Sequence, residues 1–140
     1  MLRMRTIPDS NVVLDVIGRP STWQNWSAKQ LSHWFNAGGL VVNQVVYAEV
    51  ASELNSQAAL EEILHRMRVD TEGVPFEACF LAGHAHRSYR KHGGVRERVL
   101  PDFMIGAHAA NRGYRILTRD ASRYRTYFPD VEVIAPDTHP

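Results

Sequence analysis

Two kinds of hydrophobic pattern alternate along the chain. Compact apolar runs occupy residues 40–43 and 115–118, and similar runs occupy 3–8 and 131–135. A compact run that ends at turn residues is typical of a strand buried in a parallel sheet. Between these runs, apolar residues recur every three or four positions, as they do on one face of a helix. We therefore predict strands at the four runs and helices between them.

Glycines and prolines set the expected ends of the helices. Gly18 closes the first helix, and Pro101 opens the last long one. The predicted helices cover residues 11–17, 23–37, a segment through 46–54, 58–68, 76–92 and 102–111, and a short helical turn follows Asp120. Strands that alternate with helices predict an α/β fold, with a mostly parallel sheet of about four strands and helices on both faces.

Length and composition are those of a single soluble domain. The chain has 140 residues, of which 44% are hydrophobic and 22% charged, so we expect one domain spanning 1–140. The one cysteine, Cys79, excludes an internal disulfide framework and fits a reducing compartment. No run approaches the roughly 20 apolar residues of a membrane span, and the first residues are too polar for a signal peptide. We expect the protein to act in the cytoplasm, without a membrane partner.

Four acidic residues stand where the predicted elements begin or end. Asp9 and Asp120 directly follow predicted strands, Glu49 lies near the start of a helix, and Asp102 opens another. Ligands of open α/β sheets bind beyond the carboxyl ends of the strands, so these acids are expected to converge there. A divalent cation would relieve their mutual repulsion, and oxygen ligands select Mg²⁺ or Mn²⁺. The alternative is that Asp102 and Asp120 are ordinary helix caps.

Four short stretches around these acids resemble, in order, the motifs of the PIN domain family. Residues 8–14 are similar to its first motif, in which an acid is followed by Ser or Thr and then Asn. Residues 46–50 are similar to the second motif, residues 101–109 to the third and residues 117–120 to the fourth. The order and spacing agree over nearly the whole chain. The length and single-domain form are similar to those of the VapC toxins within this family.

This resemblance implies a function and a set of partners. It implies an endoribonuclease that depends on Mg²⁺ or Mn²⁺ and forms a homodimer. It also implies that the enzyme is the toxin of a type II toxin–antitoxin pair, held inactive by a cognate VapB-type antitoxin. RNA is the implied substrate, cut at a phosphodiester bond by a water molecule that the metal activates.

The resemblance also assigns roles to single residues. The positions that match direct or near-direct metal ligands are Asp9, Asp102 and Asp120, and Glu49 matches an acid that acts through water; all four are expected to be catalytic. Two further positions match polar residues that hold the carboxylates in place, namely Asn11 and Thr118. One departure is Pro8, where a strand residue with an N–H is usual. Because proline cannot donate to a sheet, we expect the first strand to end early or to bend there.

Arginine dominates the basic residues, although the net charge is only +1. Lys29 and Lys91 are the only lysines among 16 basic residues. The planar guanidinium suits phosphate, but a GC-rich genome would favour arginine equally well. Four arginines flank the pair of glycines at 93–94 and are expected to contact RNA: Arg87, Arg90, Arg96 and Arg98.

Other functions remain open. A degenerate PIN-like module would bind RNA without cleaving it, and a structure-specific nuclease would act on DNA. A phosphatase or a receiver domain also gathers aspartates at strand ends, but neither lysine lies at a predicted strand end. A helix with Trp23, Trp26 and Trp34 is open to three interpretations: core packing, a dimer interface or an antitoxin groove.

Overall fold

The computed structural model describes residues 4–18, 20–94 and 99–140. Five short strands form one sheet in the order β3-β2-β1-β4-β5, and every pairing between neighbours is parallel. The strands are β1 (Thr6–Pro8), β2 (Leu40–Val42), β3 (Val69–Thr71), β4 (Arg115–Leu117) and β5 (Val133–Ile134). The expected α/β fold with a parallel sheet is therefore confirmed, with five strands in place of about four.

Seven helices connect or follow these strands in the described part of the chain. They are α1 (Ser10–Ile17), α2 (Gln24–Asn36), α3 (Gln44–Ala51), α4 (Gln57–Met67), α5 (Phe76–Lys91), α6 (Leu100–Arg112) and α7 (Ser122–Tyr127). None of them is long and apolar enough to cross a membrane. Each predicted helix is present, and most ends agree within one or two residues because glycine, proline and cap residues mark them.

The core lies between the sheet and the helices packed against it. Strands β1 and β2 are buried at every position, as expected for central strands of a parallel sheet. Leu60 and Leu64 supply the buried face of α4, and Phe103 and Ile105 supply part of that of α6. The four acids lie on α3, on α6, in the loop after β4 and at the junction between β1 and α1.

The first strand ends at Pro8, as its sequence predicts. Pro8 pairs with Leu117 of β4, whereas the pairing of β1 with β2 is confined to Thr6 and Leu40. The next N–H, that of Asp9, donates to the carbonyl of Leu117 at 2.8 Å. The missing donor of Pro8 therefore falls at the strand end, and the backbone of Asp9 stays tied to the sheet.

Candidate metal centre

The four acids lie at the carboxyl end of the sheet or on the helices that start there. Asp9 follows β1 and caps α1, with its side chain accepting from the backbone N–H of Ser10 at 2.8 Å. Asp120 follows β4, Glu49 lies on α3, and Asp102 lies in the first turn of α6. The sequence-based placement therefore agrees with the structure for Asp9, Asp102 and Asp120. The expected place of Glu49 near the start of its helix is wrong, because α3 begins at Gln44 and Glu49 lies in its second turn, close to the end at Ala51.

Asp9 is held by two side chains that are distant in sequence. Its Oδ2 atom accepts hydrogen bonds from the hydroxyls of Thr118 and Tyr124, both at 3.0 Å. Tyr124 lies on α7 and is almost fully buried. Sequence reasoning missed this tyrosine, because the short helix that carries it shows no motif of its own. The only available signal was its spacing of four residues, about one helical turn, from Asp120.

Asn11 and Thr118 link the loop after β4 to the start of α1. The side-chain amide of Asn11 donates to Oγ1 of Thr118 at 3.3 Å and accepts from the backbone N–H of Arg119 at 3.2 Å. The backbone N–H of Asp120 donates to Oγ1 of Thr118 at 3.0 Å. These contacts fix the backbone of Asp120 relative to Asp9, which is the kind of contact expected of Asn11 and Thr118.

The acids influence one another electrostatically. Burial raises the pKa of Asp9, and the charge of Asp120 raises it further, against the hydrogen bonds that favour the carboxylate. Burial, followed by the charge of Asp9, likewise raises the pKa values of Glu49 and Asp102. Because charges act over several ångströms, these effects place the side chains in one region of the molecule without requiring them to touch. The four residues therefore form one acidic cluster, although more than a hundred positions separate the first from the last.

Arg123 balances part of this negative charge. It lies on α7 and donates to Oδ2 of Asp102, and its guanidinium lies 5.9 Å from the ring centre of Tyr89. Within residues 4–18, 20–94 and 99–140, no three His, Cys, Asp or Glu side chains are placed so that they could hold an ion as they stand. The bond to Arg123 directs the Asp102 carboxylate toward the guanidinium, so Asp102 does not join a ready-made set of ligands.

The chemistry of the cluster nevertheless fits a divalent cation. The Oε1 atom of Glu49 is buried and has no hydrogen-bond partner among the described residues. A buried carboxylate oxygen without a donor is costly, and a cation or a water molecule that a cation holds would satisfy it. The ligands on offer are carboxylate oxygens, which suit Mg²⁺ and Mn²⁺ better than softer metals.

The predicted RNA contacts lie partly within the described residues. Arg87 and Arg90 are exposed on the last turns of α5. That end of α5 packs on the start of α6, where the ring centres of Tyr89 and Phe103 are 5.7 Å apart. The two arginines therefore lie on the helix end that borders the Asp102 turn. The other two predicted contacts, Arg96 and Arg98, lie outside the described residues.

His108 belongs to a separate polar network. The Oδ1 atom of Asn43 accepts from two backbone N–H groups of α3, so its Nδ2 atom donates to Nδ1 of His108 at 3.1 Å. The Nε2–H of His108 then donates to Glu72 at 2.8 Å, and Tyr114 donates to the same carboxylate at 2.8 Å. Because His108 is fully buried and both ring nitrogens are engaged, the structure gives it no role at the acidic cluster.

Two of the three tryptophans on or before α2 form hydrogen bonds within the described part of the chain. The indole N–H of Trp26 donates to the carbonyl of His139 at 2.7 Å, and that of Trp34 donates to Gln30 at 3.0 Å. Trp34 also lies under the guanidinium of Arg115, at 4.7 Å. These two residues pack within the chain, whereas Trp23, just before α2, is 38% exposed.

Comparisons with known proteins agree with this fold. The sequence model of the PIN domain matches residues 6–129. No curated protein matches the chain. Similar solved structures include VapBC2 from Rickettsia felis bound to a promoter DNA fragment, with a TM-score of 0.71, 14% identity and coverage of 94% of this chain and 98% of that one. Another is VapBC-1 from nontypeable Haemophilus influenzae, with a TM-score of 0.69, 18% identity and coverage of 94% and 98%. A third is FitAcB from Neisseria gonorrhoeae, with a TM-score of 0.66, 19% identity and coverage of 94% of this chain and 97% of that one.

Proposed function

Because the chain belongs to the PIN domain family, we propose that it is an endoribonuclease that depends on Mg²⁺ or Mn²⁺. The observation that carries this proposal is the acidic cluster, in which Asp9, Glu49, Asp102 and Asp120 lie close enough to affect one another's ionisation or that of a shared neighbour. The carboxylates of such a cluster repel one another unless a cation is bound. A bound divalent cation can in turn activate water for hydrolysis of a phosphodiester bond.

We assign Asp9, Asp102 and Asp120 as the residues that would hold the metal. When bound, a divalent cation would polarise a phosphoryl oxygen and lower the pKa of water, so that a nucleophile forms near neutral pH. Glu49, which has one buried oxygen free of hydrogen-bond partners, would accept a hydrogen bond from the attacking water and orient it for displacement in line with the leaving oxygen.

The residues around Asp9 would keep its carboxylate in one orientation. Tyr124 and Thr118 both donate to Oδ2, so that this oxygen is held from two sides. Burial, followed by the charges of Asp9 and Asp102, raises the pKa of Tyr124 well above its ordinary value of 10.0. Tyr124 therefore remains a hydrogen-bond donor over the whole range in which the enzyme would work.

Substitution of Asp102 by Asn tests the proposed activity. Asp102→Asn keeps the size of the side chain but removes its charge, so RNA cleavage in the presence of Mn²⁺ should be lost and Mn²⁺ binding weakened. Asp130→Asn, at an exposed aspartate in the turn after α7, is the matched control and should cleave like the wild type. Full cleavage by Asp102→Asn would refute the proposed site.

The same assay separates the competing functions. A binding module would retain RNA without cutting it and would show no Mn²⁺ binding that depends on Asp102. A DNA nuclease would cut labelled single-stranded or flap DNA in preference to RNA. Both substrates should therefore be offered to the wild type and to Asp102→Asn under identical metal conditions.

We also propose that the protein acts in the cytoplasm as the toxin of a toxin–antitoxin pair. Wild-type expression in a bacterial host should arrest growth and create new RNA ends, whereas Asp9→Ala should do neither. Normal growth and unchanged RNA with the wild type would contradict the toxin assignment while leaving the nuclease assignment to the cleavage assay.

A groove between α2 and the end of α4 is the proposed site of a VapB-type antitoxin. It has a volume of about 400 Å³, and its lining includes the apolar residues Val16, Phe35 and Met67 and the basic residues Arg66 and Arg68. Apolar walls suit a segment with apolar side chains, and an acidic residue on that segment would share Arg66 with Glu62. Ala28→Trp at an exposed position in the groove should prevent rescue of growth by the cognate antitoxin, and Lys29→Trp beside the groove should not.

The proposed homodimer would cover an apolar patch near the start of α5. Phe76 and Phe80 are 90% and 71% exposed, one helical turn apart, and Leu81 beside them is 41% exposed. A second copy of the chain would remove this surface from water. Phe80→Glu should convert a dimer into a monomer in light scattering, whereas Lys91→Glu, at the other end of α5, should not.

A further inference from the structure

We infer that Trp23 is a stacking platform for an RNA base next to the proposed cleavage site. This inference rests on the proposed function and adds to it a contact with the substrate. Trp23 is 38% exposed in the turn before α2, whereas Trp34 is 9% exposed. A large aromatic surface left in water at this position is unfavourable for the free protein, and a stacked base would cover it.

Arg119 connects Trp23 to the acidic cluster. Its backbone lies between Thr118, which donates to Asp9, and Asp120. Its side chain extends from that loop to Trp23, where the guanidinium lies 5.7 Å from the ring centre. The indole is therefore separated from the loop that carries Asp120 by one arginine side chain and a further 5.7 Å, a span that a strand of RNA can bridge.

Asp15 fixes both partners of this contact. Its two carboxylate oxygens accept from Nε and Nη2 of Arg119 at 2.8 and 3.0 Å, so the guanidinium is bound at two points. They also accept from the hydroxyls of Ser27 at 2.6 Å and Ser21 at 3.0 Å. Ser21 in turn accepts from the backbone N–H of Trp23 at 3.0 Å. The turn that presents the indole is thus tied to the loop that carries Asp120 before any ligand binds.

The chemistry of this surface favours a base over a phosphate. Asp15 already neutralises Arg119 and occupies its fork, so little positive charge remains for a phosphate at this point. Arg119 lies over one part of the indole and the ring centre of Trp26 is 6.0 Å away, so a base would stack on the part that is still exposed. Such stacking on an aromatic side chain does not depend on the sequence of the single strand. Arg87 and Arg90, on the helix end that borders Asp102, would supply the contacts to the backbone of the strand.

The test uses Asp102→Asn protein, so that RNA stays intact, and a short single-stranded RNA oligonucleotide. Binding should quench tryptophan fluorescence. In Trp23→Ala/Asp102→Asn the quenching should be lost, and the dissociation constant from anisotropy should rise about 10-fold, as expected for one lost stacking contact. Trp23→Phe should retain most of the affinity. Trp34→Phe, which removes a tryptophan of α2 but leaves Trp23, should retain the quenching.

Thermal unfolding and Mn²⁺ affinity separate loss of the platform from damage to the fold or to the acidic cluster. Mn²⁺ affinity should stay unchanged in Trp23→Ala, because no described contact joins the indole to the four acids. The unfolding temperature should fall by only a few degrees, through loss of the contacts with Arg119 and Trp26. Unchanged RNA affinity in Trp23→Ala with quenching retained would overturn the inference, and so would a parent protein that binds no RNA. Normal RNA binding by Trp23→Ala with loss of antitoxin binding would assign Trp23 to the protein partner. Cleavage by Asp102→Asn would refute the proposed metal site. The RNA affinities of proteins with and without Trp23 would still test the stacking contact.

Discussion

The hydroxyl of Tyr124 donates to Oδ2 of Asp9 at 3.0 Å and so joins α7 to the end of β1. Both groups are nearly inaccessible to solvent, with exposures of 2% and 7%. A hydrogen bond from a neutral donor lowers the cost of burying a carboxylate without cancelling its charge. Asp9 can therefore stay buried and still be negative enough to attract a cation.

Replacing Tyr124 by Phe tests this relationship. Tyr124→Phe removes one donor from a buried carboxylate and should lower the free energy of unfolding by about 1.5–3 kcal/mol. Urea denaturation with a chelator present measures the loss without any contribution from bound metal. Tyr127→Phe, the same change on the same helix, is the control and should have a smaller effect. Equal stability of Tyr124→Phe and wild type would show that the hydrogen bond adds nothing.

Arg123 should compete with a divalent cation for Asp102. Because Arg123→Ala removes a positive charge that is bonded to Asp102, Mn²⁺ should bind about 10-fold more tightly to this variant. Arg123→Lys keeps the charge and should stay close to the wild type. Calorimetric titration with Mn²⁺ measures both variants. Weaker binding by Arg123→Ala would mean that the arginine supports the metal site and does not compete with it.

Local sequence predicted most of the elements and the place of three of the four acids within them; Glu49 lies nearer the end of its helix than expected. Helix ends were predictable because a glycine or a proline is read directly from the sequence. Strand β3 was missed because only Val69 is buried, while Asp70 and Thr71 are exposed, so neither an apolar run nor a clean alternation marks it. A strand at the edge of the sheet can be this polar because only one neighbour covers it.

Contacts between segments that are distant along the chain could not be predicted from the sequence. Nothing near Trp26 indicates that it bonds to His139, and nothing near Asp102 indicates that Arg123 will occupy one of its oxygens. Both contacts depend on how α2 and α7 pack on the rest of the fold. The motifs therefore indicated four acids as candidates, whereas the groups that orient or neutralise them became visible only in three dimensions.

The Glu72 network predicts a pH dependence of stability. Partial burial raises the pKa of Glu72, but hydrogen bonds from His108 and Tyr114 and the charge of Arg112 together lower it below its ordinary value of 4.5. Since the folded-state pKa is the lower one, Glu72 stabilises the protein above about pH 4.5, and this contribution is lost as the pH falls through the folded-state pKa.

Glu72→Gln should therefore be less stable than the wild type at pH 7, by about 1–2 kcal/mol. The difference should shrink as the pH falls below about 4.5, because the wild-type side chain is then protonated as well. Urea denaturation at a series of pH values measures both proteins. Glu62→Gln, in an exposed pair with Arg66, should lose at most about 0.5 kcal/mol. A difference between Glu72→Gln and wild type that does not change with pH would contradict this role.

Gly106 and Gly83 give opposite predictions for the same substitution. A Cβ added at Gly106 on α6 overlaps the ring of Phe128, which is only 5% exposed and has little room to move. A Cβ added at Gly83 on α5 meets nothing within 4 Å among the described residues. Alanine is favoured over glycine within a helix by about 1 kcal/mol, whereas overpacking a core costs about 1–3 kcal/mol.

Gly83→Ala should therefore raise the free energy of unfolding by up to about 1 kcal/mol, and Gly106→Ala should lower it by about 1–2 kcal/mol. Denaturation of the two variants beside the wild type measures the difference with a matched change in composition. Because α6 carries Asp102 in its first turn and Gly106 one turn later, the displaced helix should also bind Mn²⁺ less tightly in Gly106→Ala. Stabilisation by both substitutions would show that Phe128 yields without cost and that α6 is less firmly packed than the contact implies.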